Sequence, residues 1–138
     1  MNRPPSPLML SALLAVLLLC ACSPITRMDI SGEPTVYCTV NSPPDETLLG
    51  YWRRIPPGNF NRPHVFNYWL IKKGDRYALF YHWDDKRGKV VRGWFPFVID
   101  GKTMNSSEDP SIYFVKEGQV FHNYGGRPFD SPMMKVGN

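Results

Sequence analysis

The sequence predicts an all-β fold: a small antiparallel meander closing into a barrel or a sandwich from about seven or eight short strands. Three observations predict it. The 4 tryptophans, 7 tyrosines and 8 phenylalanines all lie beyond residue 36, and aromatic and β-branched side chains suit a pleated, half-buried surface. Tight-turn pairs recur at short intervals, at Gly74-Asp75, Asp100-Gly101 and Glu117-Gly118. No stretch carries the apolar period of an amphipathic helix.

Taken in order, Thr35 to Val40 is the first expected strand, broken by Asn41-Ser42-Pro43-Pro44-Asp45. Thr47 to Ile55 is the second, with Leu49, Tyr51 and Arg53 on one face. Pro56-Pro57-Gly58 ends it, and a polar loop runs to His64. Val65 to Lys73 and Arg76 to Trp83 flank Gly74-Asp75, which fits a two-residue type II′ hairpin. That turn sets Leu70 opposite Leu79, Tyr68 opposite Tyr81 and Phe66 opposite Trp83, an apolar face suited to a core. The other face pairs Ile71 with Ala78, Trp69 with Phe80 and Asn67 with His82. It is also largely apolar, so it too is expected to be covered. Asp84 to Gly88 reads as a charged turn. Lys89 to Phe95 is the next strand, and Pro96 marks an edge or a bulge. Asp100-Gly101 reads as a type I′ turn joining Phe97–Ile99 to Lys102–Met104. After a loop from Asn105 to Pro110, a third hairpin pairs Phe114 with Phe121 and Tyr113 with His122 around Glu117-Gly118. The Gly- and Pro-rich tail from Gly125 is expected to be irregular.

The N-terminus belongs to a different kind of element. Arg3 supplies a positive start and Leu8 to Leu19 an apolar run. As a helix that run reaches about 18 Å, short of a bilayer core of about 30 Å. It ends in Leu19-Cys20-Ala21-Cys22, which resembles the lipobox of bacterial lipoproteins. The resemblance implies diacylglyceryl transfer to Cys22, cleavage after Ala21 and acylation of the new amino terminus. Cys20 is the rival acceptor, but Leu19 before it is not small. Ser23 follows the cysteine in place of the aspartate linked to inner-membrane retention, so the resemblance points to the outer membrane of a Gram-negative cell. Residues 1–21 are then a signal peptide, 22–35 a lipidated tether without periodicity, and 36–138 a single β-rich domain. Roughly 100 residues remain to fold, a size that buries roughly 60–70% of the unfolded chain's surface. With Cys20 removed and Cys22 alkylated, Cys38 stands alone, no internal disulfide forms, and a buried, inert thiol is expected.

The chemistry is sparse. There is no nucleophile elbow, zinc-protease helix motif, paired-cysteine motif or phosphate loop, and no catalytic residue is assigned. Neither a metal nor a cofactor is expected, since His64, His82 and His122 lack ligand spacing. His82-Trp83-Asp84-Asp85 could orient an imidazole but reads as a solvated turn. The net charge of +4 is scattered among acidic residues without a basic stripe, which excludes a nucleic-acid backbone as the expected partner. What stands out is the aromatic content. Tyr and Trp join a large apolar area to a polar handle. Candidate binding residues are Trp69 and Phe80 on the second hairpin face, Phe60, Arg62 and His64 in the loop before it, and Tyr124 and Arg127 in the tail.

The expected function is that of a lipoprotein, anchored to the outer membrane and facing the periplasm or the cell surface. It would act as a non-enzymatic binding or accessory module that engages another envelope protein. Two alternatives stand beside it. Leu48-Leu49-Gly50-Tyr51-Trp52 resembles the Gly-x-Trp opening of lipocalins, which implies a barrel carrying a small apolar ligand. A cell-wall-directed enzyme would instead need two carboxylates or a metal set converging in a cleft, with Asp84, Asp85 and His82 the residues to test.

Overall fold

The computed structural model describes Ile30 and residues 32–54, 65–84, 89–128 and 131–138. Met1–Ser31 and Gly32–Asn138 form separate units, and the second is described below. It is all-β. Its strands are β1 (Thr39–Ser42), β2 (Gly50–Arg53), β3 (Val65–Lys73), β4 (Arg76–Asp84), β5 (Val90–Phe95), β6 (Phe97–Asp100), β7 (Thr103–Ser106), β8 (Ser111–Lys116), β9 (Gln119–Tyr124), β10 (Arg127–Pro128) and β11 (Met134–Gly137). One 3₁₀ turn, Glu46–Leu48, precedes β2, and the Asp45 carboxylate caps it by accepting the Thr47 N–H at 2.9 Å.

The strands form two sheets, in the orders β11-β2-β3-β4-β5 and β1-β6-β7-β8-β9-β10. Neighbours are antiparallel except β1 and β6, which run parallel. The meander therefore has two exceptions, both terminal. The first strand pairs in the sheet built from the second half of the chain, and β11 pairs with β2 in the sheet built from the first half. Pro96 stands between β5 and β6, where the chain leaves one sheet for the other. A proline lacks the N–H to continue a ladder, and β5 is accordingly an edge strand.

The β3–β4 hairpin has the predicted register, including Leu70 opposite Leu79, Trp69 opposite Phe80 and Phe66 opposite Trp83. Gly74 has φ +63° while Asp75 does not enter the positive region, as a type II′ turn requires. The β8–β9 hairpin also pairs as predicted. Both of its turn residues have positive φ, Glu117 at 52° and Gly118 at 72°, the type I′ pattern.

Five expectations are corrected. Eleven strands form among the described residues where about seven or eight were expected, because the tail and short segments such as Arg127–Pro128 also pair. The turn after β6 is Gly101-Lys102, with Asp100 opposite Thr103. A type I′ turn at Asp100-Gly101 needs positive φ at both residues, and only Gly101 has it. The resulting register places Met104 beside Ile99, both fully buried. The first strand starts at Thr39 because the residues before it are held elsewhere. The Cys38 N–H donates to the Tyr77 carbonyl at 2.8 Å, and the Arg76 guanidinium lies 3.6 Å from the Tyr37 ring centroid. The second strand is only Gly50–Arg53, and Leu49 lies outside it. The tail is not irregular: it supplies β10 and β11, and Met133 is buried in the core.

Both sheets contribute to one core, which includes Trp52, Tyr68, Leu70, Leu79 and Tyr81 from the first and Phe97, Ile99, Met104, Tyr113 and Val120 from the second. The rings of Tyr68 and Tyr113 meet at 4.7 Å between centroids. The Tyr68 hydroxyl donates to the Leu48 carbonyl at 3.1 Å, so a fully buried phenol is satisfied. Cys38 packs against this core as a free thiol, and burial pushes its pKa up to about 11 despite backbone groups of Phe97 and Leu79 that act to lower it.

Candidate functional site

Strand alternation carries the inward face of β4 from Tyr81, which belongs to the core, to Trp83, which packs partly buried against its margin. Opposite them on β5 the inward row reads Val91, Gly93, Phe95. Gly93 faces Tyr81 without a side chain, and the Phe95 ring lies 3.5 Å from where a Cβ there would stand. Tyr124, at the end of β9, closes the far side. The result is a cleft of about 260 Å³ lined by Tyr81, Trp83, Val91, Phe95 and Tyr124, with Lys89, Glu108 and Asp109 at its lips.

The acidic lip is held by local hydrogen bonds. The Ser106 hydroxyl accepts the N–H groups of Glu108 and Asp109 at 3.2 and 3.1 Å. The Asp109 carboxylate accepts the Ser111 N–H at 2.8 Å, and the Gly125 N–H donates to the Pro110 carbonyl at 3.1 Å. Such side-chain-to-backbone bonds stabilise the bend in place of a ladder. The aromatic walls are braced from behind. Phe95 meets Tyr81 edge-on at 5.8 Å, and Phe66 contacts Trp83 at 6.3 Å and Tyr124 at 5.4 Å.

Two acidic side chains and one lysine border the cleft. Burial raises the pKa of the Tyr81 and Tyr124 hydroxyls, and the Asp109 carboxylate pushes both further the same way. Both phenols therefore stay protonated at neutral pH. The Lys89 ammonium lies 5.8 Å from the Trp83 ring centroid, a cation against the electron-rich face of an indole.

Beneath the floor runs a polar chain. The Tyr81 hydroxyl lies 3.1 Å from the Ser111 hydroxyl, which is 3.3 Å from His122 Nε2. Burial, and secondarily the positive charge of Arg54, lowers the His122 pKa to about 3, so the imidazole is neutral. Ser111 and His122 are each only 1% exposed. This serine–histidine pair is sealed beneath aromatic rings, and it positions Tyr81 and Tyr113 without offering a nucleophile to the cleft.

The candidate residues named from sequence fall in several places. Tyr124 lines the cleft, and Arg127 is exposed on β10. Trp69 is half-buried and lines a separate, more open groove of about 510 Å³ on the outer face of β2 and β3, with Leu49, Ile71, Lys72, Lys135 and Glu46. Phe80 is only 9% exposed and meets Trp94 edge-on at 5.3 Å. The second face of the hairpin is thus partly covered, and Trp69 and Phe80 do not form one open patch. Phe60, Arg62 and His64 lie outside the described residues, as do Asp85 and Cys22. His82 is on the outward side of β4, opposite Asn67 and Arg92, whereas His122 points into the core, so the sheet separates the two. Among the described residues no three His, Cys, Asp or Glu side chains group as metal ligands.

Sequence reading missed Tyr81 and Trp83 as site residues because it placed them in the core, and it gave Phe95 no role beyond ending a strand. The available signal was that their apolar row continues to the very end of β4. Glu108 and Asp109 carried no signal beyond a loop composition. No family model, curated protein or solved structure matches the chain.

Proposed function

We propose that this chain is a lipoprotein, anchored through Cys22 in the outer membrane of a Gram-negative cell, whose β-domain is a non-enzymatic binding module of the envelope. We read the domain as a sandwich, because each sheet keeps two edge strands and the Tyr68–Tyr113 contact joins their inner faces. One observation carries the binding reading: aromatic rings, Tyr81 fully buried and Trp83, Phe95 and Tyr124 half-buried, converge on a cleft open at the surface, beside an acidic bend in which the Asp109 carboxylate is fixed by its own hydrogen bond. Well-packed aromatic anchors with a polar rim are what recognition sites are made of. The alternatives have less support. Fully buried Tyr68, Tyr81, Tyr113 and Phe97 fill the interior in which a carrier of apolar ligands would need a chamber. A glycan-cleaving site needs carboxylates on either side of a bond, and Glu108 and Asp109 are neighbours on one lip.

Site-specific photo-crosslinking in intact cells tests the reading. A crosslinker at position 108 is expected to give one discrete adduct that the same crosslinker at Lys116, at the far end of β8, does not give. Equal adducts at both positions, or none at 108, would refute it. The anchor has its own test: the mature N-terminal peptide should carry a thioether-linked diacylglyceryl group on Cys22, and Cys22→Ala should leave the protein unlipidated.

A further inference from the structure

We infer that the cleft between β4, β5 and β9 is a receptor for an alkylammonium group. The inference deepens the binding-module reading and rests on it. Three features select that chemistry. The walls are the rings of Tyr81, Trp83, Phe95 and Tyr124, and a cation is drawn to the negative face of an aromatic ring, most strongly to tryptophan. The lip carries the carboxylates of Glu108 and Asp109 against the one ammonium of Lys89 and so favours a positive charge at the entrance over a negative one. The chain already places an ammonium there: Lys89 Nζ stands 5.8 Å from the Trp83 centroid. An intramolecular cation beside the cleft is consistent with that attraction.

Size narrows the class. About 260 Å³ is below the roughly 300 Å³ at which drug-sized sites begin, so the cleft takes a head group and not a whole ligand. Two sources present that chemistry: a quaternary ammonium of the choline type, and the primary ammonium of a lysine side chain. Both offer a cationic nitrogen on an alkyl stem, which suits aromatic walls below an acidic lip.

Calorimetric titration of the full mature protein in a neutral maltoside detergent tests this with three probes: choline chloride, n-butylammonium chloride, and 3,3-dimethylbutan-1-ol as the uncharged isostere of choline. At least one cation is expected to bind saturably and about tenfold more tightly than the alcohol, the scale of one partly desolvated cation–π contact. A choline preference identifies the quaternary source, and a butylammonium preference the lysine-like one. Glu108→Gln together with Asp109→Asn should bring the best cation to within about threefold of the alcohol. That pair keeps the oxygen that accepts the Ser111 N–H, and an unchanged near-ultraviolet dichroism shows that the fold is intact. Tyr124→Leu should weaken the cation more than the alcohol. Equal binding of alcohol and cations, or no saturable binding of any probe, overturns the inference. Either result leaves a position-108 adduct unaffected, so the two readings fail separately.

Discussion

The rings of Tyr113 and His122 lie face to face, with centroids 4.5 Å apart and planes 13° from parallel. Phe66 covers the imidazole from another side at 4.8 Å. This burial keeps His122 neutral and drives its pKa down to about 3, against about 6.5 in an unfolded chain. Between those values the unfolded state binds the proton and the folded state does not. Stability is therefore complete above pH 6.5 and is lost as pH falls toward 3, at up to about 1.4 kcal/mol per pH unit. The urea midpoint should fall from pH 7 to pH 5. Asp45, whose pKa is held below 3.8 by its bonds to Thr47, stays ionised throughout that interval. His122→Phe keeps a ring against Tyr113 and removes the titration, so its midpoint should change less with pH. An equal slope in the variant would assign the effect to other groups.

Among the described glycines, Gly50 has the closest neighbour to the position of an added Cβ. Its φ is +98°, and a Cβ there would stand 2.5 Å from the Gly137 carbonyl oxygen. Gly50→Ala should cost at least about 1–2 kcal/mol from the conformation alone, plus the displacement of β11. Removing residues 136–138 deletes the clashing oxygen. The cost of Gly50→Ala in denaturant titrations should then shrink toward the conformational part. A cost that is the same in both backgrounds would mean that β11 does not press on this position.

Cys38 should behave as a protected thiol. With its pKa at about 11, the thiolate fraction near pH 7.5 falls roughly hundredfold below that of a free cysteine. Native protein should react with a disulfide reagent at least that much more slowly than protein in denaturant. Comparable rates in the two states would place the sulfur at the surface.

Lys89 competes for the ring that the proposed ligand would use. Lys89→Gln should tighten binding of the preferred ammonium probe by about threefold, the lower range of an exposed cation–π contact. The same titration should show no gain for the uncharged alcohol. A gain shared by both probes would mean that Lys89 acts by crowding the cleft and not by its charge.

Legibility in the sequence followed the distance over which a feature is encoded. The β3–β4 register could be read because Gly74-Asp75 and two alternating runs state it within twenty or so neighbouring positions. The β8–β9 hairpin was readable for the same reason. The pairing of β1 with β6 was not, since nothing local in Thr39–Ser42 names a partner at Val98. β11 looks like tail because its sequence is short and contains Gly137, and only its fit beside β2 makes it a strand. The Gly101-Lys102 turn was misplaced because Asp-Gly is a good I′ pair in isolation, whereas the packing of Met104 beside Ile99 favours another register. The cleft needed β4, β5, β9 and the bend after β7 to converge. Tyr124 was named for its place in a loop-like tail, and the residues it meets could not be known from their spacing.

The exchanged terminal strands also set an order of events. Under the proposed lipoprotein reading the chain would cross a membrane as a thread, amino end first. β2 through β5 would emerge early, yet β2 lacks its outer neighbour until Met134–Gly137 arrive. β1 emerges earlier still and must wait for β6. Neither sheet is complete by itself, so on that reading completion of the fold would wait until β11 has crossed. A chain arranged in this way would stay pliable while threaded and lock only once its last strand is through.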